Sequence, residues 1–123
     1  MTDTQNTTAP ASLVPEIRPE VWADLEQRYR KLEDTVRRYN PSANFQQIRA
    51  AFEFAAKAHG AQMRKDGSPF ITHPLAVAQI VAEELHLDSE SIEAALLHDT
   101  IEDTSATHED ISRLFSPTVA DLV

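Results

Sequence analysis

A chain of 123 residues, 41% hydrophobic and with two glycines, is one small domain or part of a larger one, too poor in glycine for a turn-dense β fold. A formal charge of −9 disfavours a nucleic-acid backbone as the main partner, because phosphate binding wants a basic surface. There is no cysteine, no apolar run of membrane length and no N-terminal signal pattern, which leaves a cytoplasmic, helical protein without disulfides, thiolate metal sites or membrane spans as the expectation.

Residues 1–15 (MTDTQNTTAPASLVP) are rich in Thr, Pro, Ala and Asn, the composition of a segment that cannot bury enough apolar surface to fold. A disordered leader is therefore expected over 1–18, with the domain over 19–123. Pro19 suits the first turn of a helix, and Trp22, Leu25, Tyr29, Leu32 and Val36 recur at three- and four-residue steps behind it, one apolar stripe among charges. NPSAN (40–44) breaks that helix, and Asn44 is a candidate cap for the next. Phe45 to His59 again shows helical spacing, with alanines that allow close helix–helix approach.

GAQMRKDGSPFITHP (60–74) holds both glycines and two prolines and reads as the longest loop. Pro74 stands at the next helix start, and HLDSES (86–91) is a turn with Asp88 or Ser89 as cap. The following helix is expected from about Glu90 into Glu102. Thr107 and Asp110 have the spacing of a capping box opening a helix that ends near Phe115, and Ser116-Pro117 caps a further start. Val119, Leu122 and Val123 then have no continuation, so the expectation is an all-α helical bundle, C-terminally truncated, with no strand and no internal repeat.

LLHDTIEDT (96–104) puts His98 beside Asp99 and adds Glu102 and Asp103 one turn later. On an unbroken helix, neighbours point about 100° apart and i, i+4 residues stack. An imidazole and a carboxylate so placed can share one ion, and mixed N/O ligation suits Mn²⁺, Fe²⁺ or Zn²⁺. The plain alternative is the solvated end of an amphipathic helix. His73, at the start of another helix, offers the second imidazole that a one-metal site needs, or else a cap or satisfied core histidine. Arg64-Lys65 places local positive charge in the loop just before it, able to fork onto phosphate or stack on a base, or else a solvated loop tip. His59, His86 and His108 read as structural or surface residues. Together these features describe metal-dependent hydrolysis of a phosphate ester.

The stretch AHGAQMRKDGSPFITHPLAVAQIVAEELHLDSESIEAALLHDTIEDTSATHEDISRLF closely resembles the hydrolase domain of the RelA/SpoT homologues. These are bifunctional (p)ppGpp synthetase/hydrolases of the bacterial stringent response, within the HD-domain phosphohydrolases. The resemblance runs from about Asn40 onward, and RKDGSPFITHP and ALLHDTIEDT carry it. It implies that His73, His98 and Asp99 are three of the four ligands of one Mn²⁺, and that Glu102 and Asp103 position or activate the attacking water. It further implies that Arg64 and Lys65 contact the guanine nucleotide, with Ser68 and Thr72 adding hydroxyl contacts. The reaction would remove the 3′-pyrophosphate of (p)ppGpp, giving GDP or GTP.

The same resemblance places the fourth ligand, an aspartate, on a later helix that this sequence does not reach, and Asp121 lies too early to match it. The chain is accordingly expected to be the N-terminal portion of the hydrolase domain of a long enzyme, inactive or weak alone. Ribosome association of the parent would run through other domains, with no direct nucleic-acid or membrane contact from this segment. Two readings stand beside it: an HD-domain hydrolase of another nucleotide, and a degenerate nucleotide-sensing or interaction module.

Overall fold

A computed structural model describes residues 16–123; the stretch 1–15, where most of the expected leader falls, lies outside the described residues. Helix α1 (Pro19–Tyr39) starts on its proline and buries the predicted stripe of Trp22, Leu25, Tyr29, Leu32 and Val36. Its other side carries i, i+4 ion pairs, Arg28–Asp24 and Arg37–Glu33 among them. Ile17, inside the stretch expected to be leader, is buried with the core. An isolated apolar residue between Glu16 and Arg18 carries no periodic signal.

Helix α2 (Phe45–His59) opens on Asn44, whose side chain accepts the Gln47 N–H. It buries Ile48, Ala51, Phe52, Ala55 and Ala56. Phe52 stacks on Trp22 and Tyr29 with ring centroids 5.5 and 4.9 Å away, which locks α2 to α1. Beside that stack Arg49 reaches Glu26 and Glu53 at 2.6 Å each, and these hydrogen bonds and charges hold the guanidinium pKa above its ordinary value although burial works against them.

Helix α3 (Thr72–Leu85) ends at His86 in the left-handed region, φ 51° and ψ 48°. Helix α4 (Ser89–Leu97) is capped by Asp88, which accepts the Ser91 N–H. Tyr39 stacks on His86 and donates its hydroxyl to the Leu87 carbonyl at 2.7 Å, and the Asn44 N–H donates to Ser89 Oγ at 2.9 Å. The α3–α4 turn is thus tied to the α1–α2 turn. Helix α5 (Thr100–Asp103) is a single turn, α6 (His108–Leu114) opens on the predicted capping box of Thr107 and Asp110, and α7 (Pro117–Leu122) is capped by Ser116.

In the packing, α4 is central, with α2, α3 and α7 against it, while α1 covers α3 and α6 pairs with α7. The all-α expectation holds: the β pairing found among the described residues is one isolated bridge, Met63 to Pro69. No helix among them is long and apolar enough to cross a membrane. The sequence reading expected one helix from Glu90 into Glu102, and that is corrected. The helix stops at Leu97 and resumes at Thr100, leaving His98 and Asp99 in the break.

Candidate metal centre

His73 sits in the first turn of α3, its N–H donating to the Phe70 carbonyl at 3.0 Å. Pro74 follows at the third helical position, where a missing N–H costs no helix hydrogen bond. Phe70 meets the His73 ring edge to face and stacks on buried His59, ring centroids 4.5 Å apart. A row of rings therefore runs from the end of α2 to the metal-ligand candidate.

At the other side of the site, side chains take the carbonyls that end α4. His98 Nδ1 lies 2.7 Å from the Ala95 carbonyl, and the Thr100 hydroxyl donates to the Leu97 carbonyl at 2.7 Å. A carbonyl only accepts, so His98 Nδ1 carries the proton, and Nε2 of the neutral ring keeps its lone pair. Asp99 continues at φ −100° and ψ −1°, the sparsely allowed bridge region.

His98 Nε2 and His73 Nε2 lie 3.1 and 3.6 Å from the same oxygen, Asp99 Oδ2. One donor atom from each of His73, His98 and Asp99 falls within 4.8 Å of the others. Donors sharing an ion at bond lengths of about 2.1 Å stand roughly 3.0–3.5 Å apart; the His98–Asp99 pair at 3.1 Å has that spacing and the His73–Asp99 pair at 3.6 Å stands just beyond it. Nε2 of the neutral tautomer and a carboxylate oxygen at 3.1 Å repel unless a proton or cation lies between them. The donor set of two imidazoles and one carboxylate matches the ligands of Mn²⁺, Fe²⁺ or Zn²⁺. The three groups are half-buried, so one side remains open to solvent and substrate.

The family match covers the same segment. An HD domain profile matches residues 51–123. The chain belongs to the HD-domain family. It is 45% identical over 96 residues to the GTP pyrophosphokinase rsh of Brucella ovis, covering 78% of this chain and 13% of that protein. Identity to the bifunctional (p)ppGpp synthase/hydrolase SpoT of Escherichia coli is 46% over 95 residues, 77% and 13% of the two chains. With the GTP pyrophosphokinase of Myxococcus xanthus it is 49% over 89 residues, 72% and 12%. The RelA/SpoT resemblance is thus shown, and the chain spans about one eighth of the length of these relatives.

In this HD domain the loop before His73 is tightly folded. The Arg64 N–H donates to the Ser68 carbonyl at 2.8 Å and Gly67 N–H to the Arg64 carbonyl at 2.9 Å, with Gly67 at φ 89°, where L side chains rarely go. Arg64 and Lys65 are exposed and, with Asp66 and Phe70, line an open concavity of about 370 Å³. The hydroxyl and the N–H of Ser68 both donate to Asp66, at 2.6 and 2.9 Å, and hold its carboxyl below the usual range. Asp66 therefore stays ionised and offsets one of the two loop cations. Thr72 donates its hydroxyl to the Pro69 carbonyl at 2.7 Å. Both hydroxyl protons are thus committed locally, and only oxygen lone pairs are left to face a ligand.

Glu102 lies exposed on α5; Asp103 ends that helix, and its side chain lies outside what the structure describes. The helix expected to carry this pair one turn beyond His98 and Asp99 is interrupted at those two residues. Asp121 is drawn to His108 at 3.0 Å and takes no part in the triad. Sequence reasoning missed Glu93, which is 3% exposed on α4. Burial, then the neighbouring carboxylates of Glu90 and Asp88, push its pKa up to about 7. An acid at a core position of the α4 periodicity was the available signal.

Proposed function

We propose that this HD domain hydrolyses the 3′-pyrophosphate of (p)ppGpp, as the hydrolase portion of a long RelA/SpoT homologue. The observation that carries the reading is the convergence of His73, His98 and Asp99 on one point beside a loop that presents Arg64 and Lys65. The names of the relatives support the substrate: one is a bifunctional (p)ppGpp synthase/hydrolase, another a guanosine-3′,5′-bis(diphosphate) 3′-pyrophosphohydrolase.

In this reading His73, His98 and Asp99 hold one Mn²⁺, with an aspartate outside this chain as fourth donor. When bound, a divalent ion lowers the pKa of a coordinated water and braces charge that develops on phosphate oxygens. Glu102 and Asp103 are the acidic pair that positions or activates the attacking water. Arg64 forks onto phosphate or stacks on the guanine, and Lys65 supplies a point charge. Ser68 and Thr72 offer oxygen lone pairs to donor groups of the nucleotide. Water adds to the phosphorus attached to the 3′ oxygen, the P–O3′ bond breaks, pyrophosphate departs, and the 3′ oxygen recovers a proton. The reaction belongs to the cytoplasm, and any ribosome contact of the longer protein runs through other domains.

The test is pyrophosphate release from ppGpp by the full-length protein carrying this sequence, with Mn²⁺, beside its His98→Ala variant. Release that depends on His98 is expected. Equal release from both proteins would sink the assignment, and a preference for dGTP over ppGpp would replace it with another HD-domain nucleotide hydrolase.

A further inference from the structure

We propose that Thr100, backed by Thr104, is a positioning residue that keeps the helix broken at His98–Asp99 and so holds the His98 ring on the Ala95 carbonyl with Nε2 facing Asp99. This rests on the reading of His73, His98 and Asp99 as metal donors. In an unbroken helix the Ala95 and Leu97 carbonyls would accept the N–H groups of Asp99 and Ile101. Here the His98 ring takes the first carbonyl and the Thr100 hydroxyl the second. Leu97 and Thr100 are both 0% exposed, so hydroxyl and carbonyl must satisfy each other without water.

Thr104 fixes the far end of the same short segment. Its hydroxyl donates to the Thr100 carbonyl at 2.6 Å, its N–H reaches the same oxygen at 3.1 Å, and its Oγ1 accepts the Ala106 N–H at 3.1 Å. The single turn carrying Glu102 is thereby closed at both ends by threonine hydroxyls.

The molecule holds its own comparison. Thr35 makes the same kind of bond, to the Lys31 carbonyl at 2.9 Å, inside α1, and α1 runs unbroken from Pro19 to Tyr39. A threonine bonding back along a helix bends it at most. At Thr100 the bond reaches three residues back instead of four, and an imidazole occupies a carbonyl two residues before Leu97. Ring and hydroxyl act together, and removing the hydroxyl frees the Leu97 carbonyl to re-form the ordinary ladder.

Mn²⁺ affinity of the full-length protein, read from free Mn²⁺ by electron paramagnetic resonance, tests this. Thr100→Val is expected to weaken binding by about 10- to 100-fold, the usual effect of losing a group that orients a ligand. Thr100→Ser should bind like the parent, and so should Thr35→Val. If Thr100→Val does not fold, Thr100→Ala carries the same expectation. A folded variant without the hydroxyl that binds Mn²⁺ as tightly as the parent overturns the proposal. If the parent itself binds no Mn²⁺, the metal reading fails, and the His98 ring decides this one by nitrogen NMR. Loss of the Nδ1–H tautomer in Thr100→Val supports positioning; its retention overturns it.

Discussion

The imidazoles of His73 and His98 meet with ring centroids 5.3 Å apart and planes 62° apart, one from the start of α3 and one from just beyond the end of α4. Each aims Nε2 at the same Asp99 oxygen. Asp99→Asn keeps the shape of that side chain but removes its charge, and the amide nitrogen is no ligand. Mn²⁺ affinity is expected to fall by at least about 100-fold, and His73→Ala should do the same. Calorimetric titration with Mn²⁺ checks this, and parent-like affinity in either variant would take that residue out of the ligand set.

The Arg64–Lys65 loop makes a separable contribution. Arg64→Ala and Lys65→Ala should raise KM for ppGpp by roughly tenfold each, the scale of a lost charge-assisted contact, while leaving Mn²⁺ affinity unchanged. Because both cations are exposed, the loss should shrink as salt is raised and the parent itself weakens. Steady-state kinetics at low and high ionic strength read both effects.

Glu93 gives the fold a pH dependence of stated sign. Its carboxyl ionises near 4.5 when unfolded and near 7 in place. Below 4.5 both states are protonated and nothing is lost. As pH rises towards 7 the unfolded chain releases its proton first, and stability drains away. Above 7 the full cost of the buried charge is present. Glu93→Gln should therefore stabilise the protein by about 3 kcal/mol at pH 8 and by close to nothing at pH 4. Urea midpoints at the two values measure it.

Phe52 joins α1 to α2 through its two ring contacts and is fully buried. Phe52→Ala should cost about 3–5 kcal/mol, seen in thermal unfolding. A loss under about 1 kcal/mol, the scale of a volume-conserving core swap, would mean that α1 is not fastened by this stack.

Helix ends were legible because capping chemistry is local: Asn44, Asp88, Thr107 with Asp110, and Ser116 all cap where their spacing says they should. The grouping of His73 with His98 and Asp99 was legible from residue type and the motifs around them. The break at 98–99 was not, because periodicity reports which residues are apolar and carries no trace of a side chain competing for a carbonyl. The same limit hid the Tyr39 hydroxyl on Leu87 and the Arg49 pairs. Those contacts join residues whose separation in the chain follows no period.

Two of the three donors are chain neighbours, so ordering the triad requires a single loop to close, the one from His73 to His98. That loop is the α3–α4 pair, two helices packed on each other across the short turn at His86–Asp88. Closure entropy grows only with the logarithm of loop length, and here the helices' own contacts offset it. The three donors are thus brought together by the packing of α3 on α4, a contact local in sequence, and need no direct contact from α1.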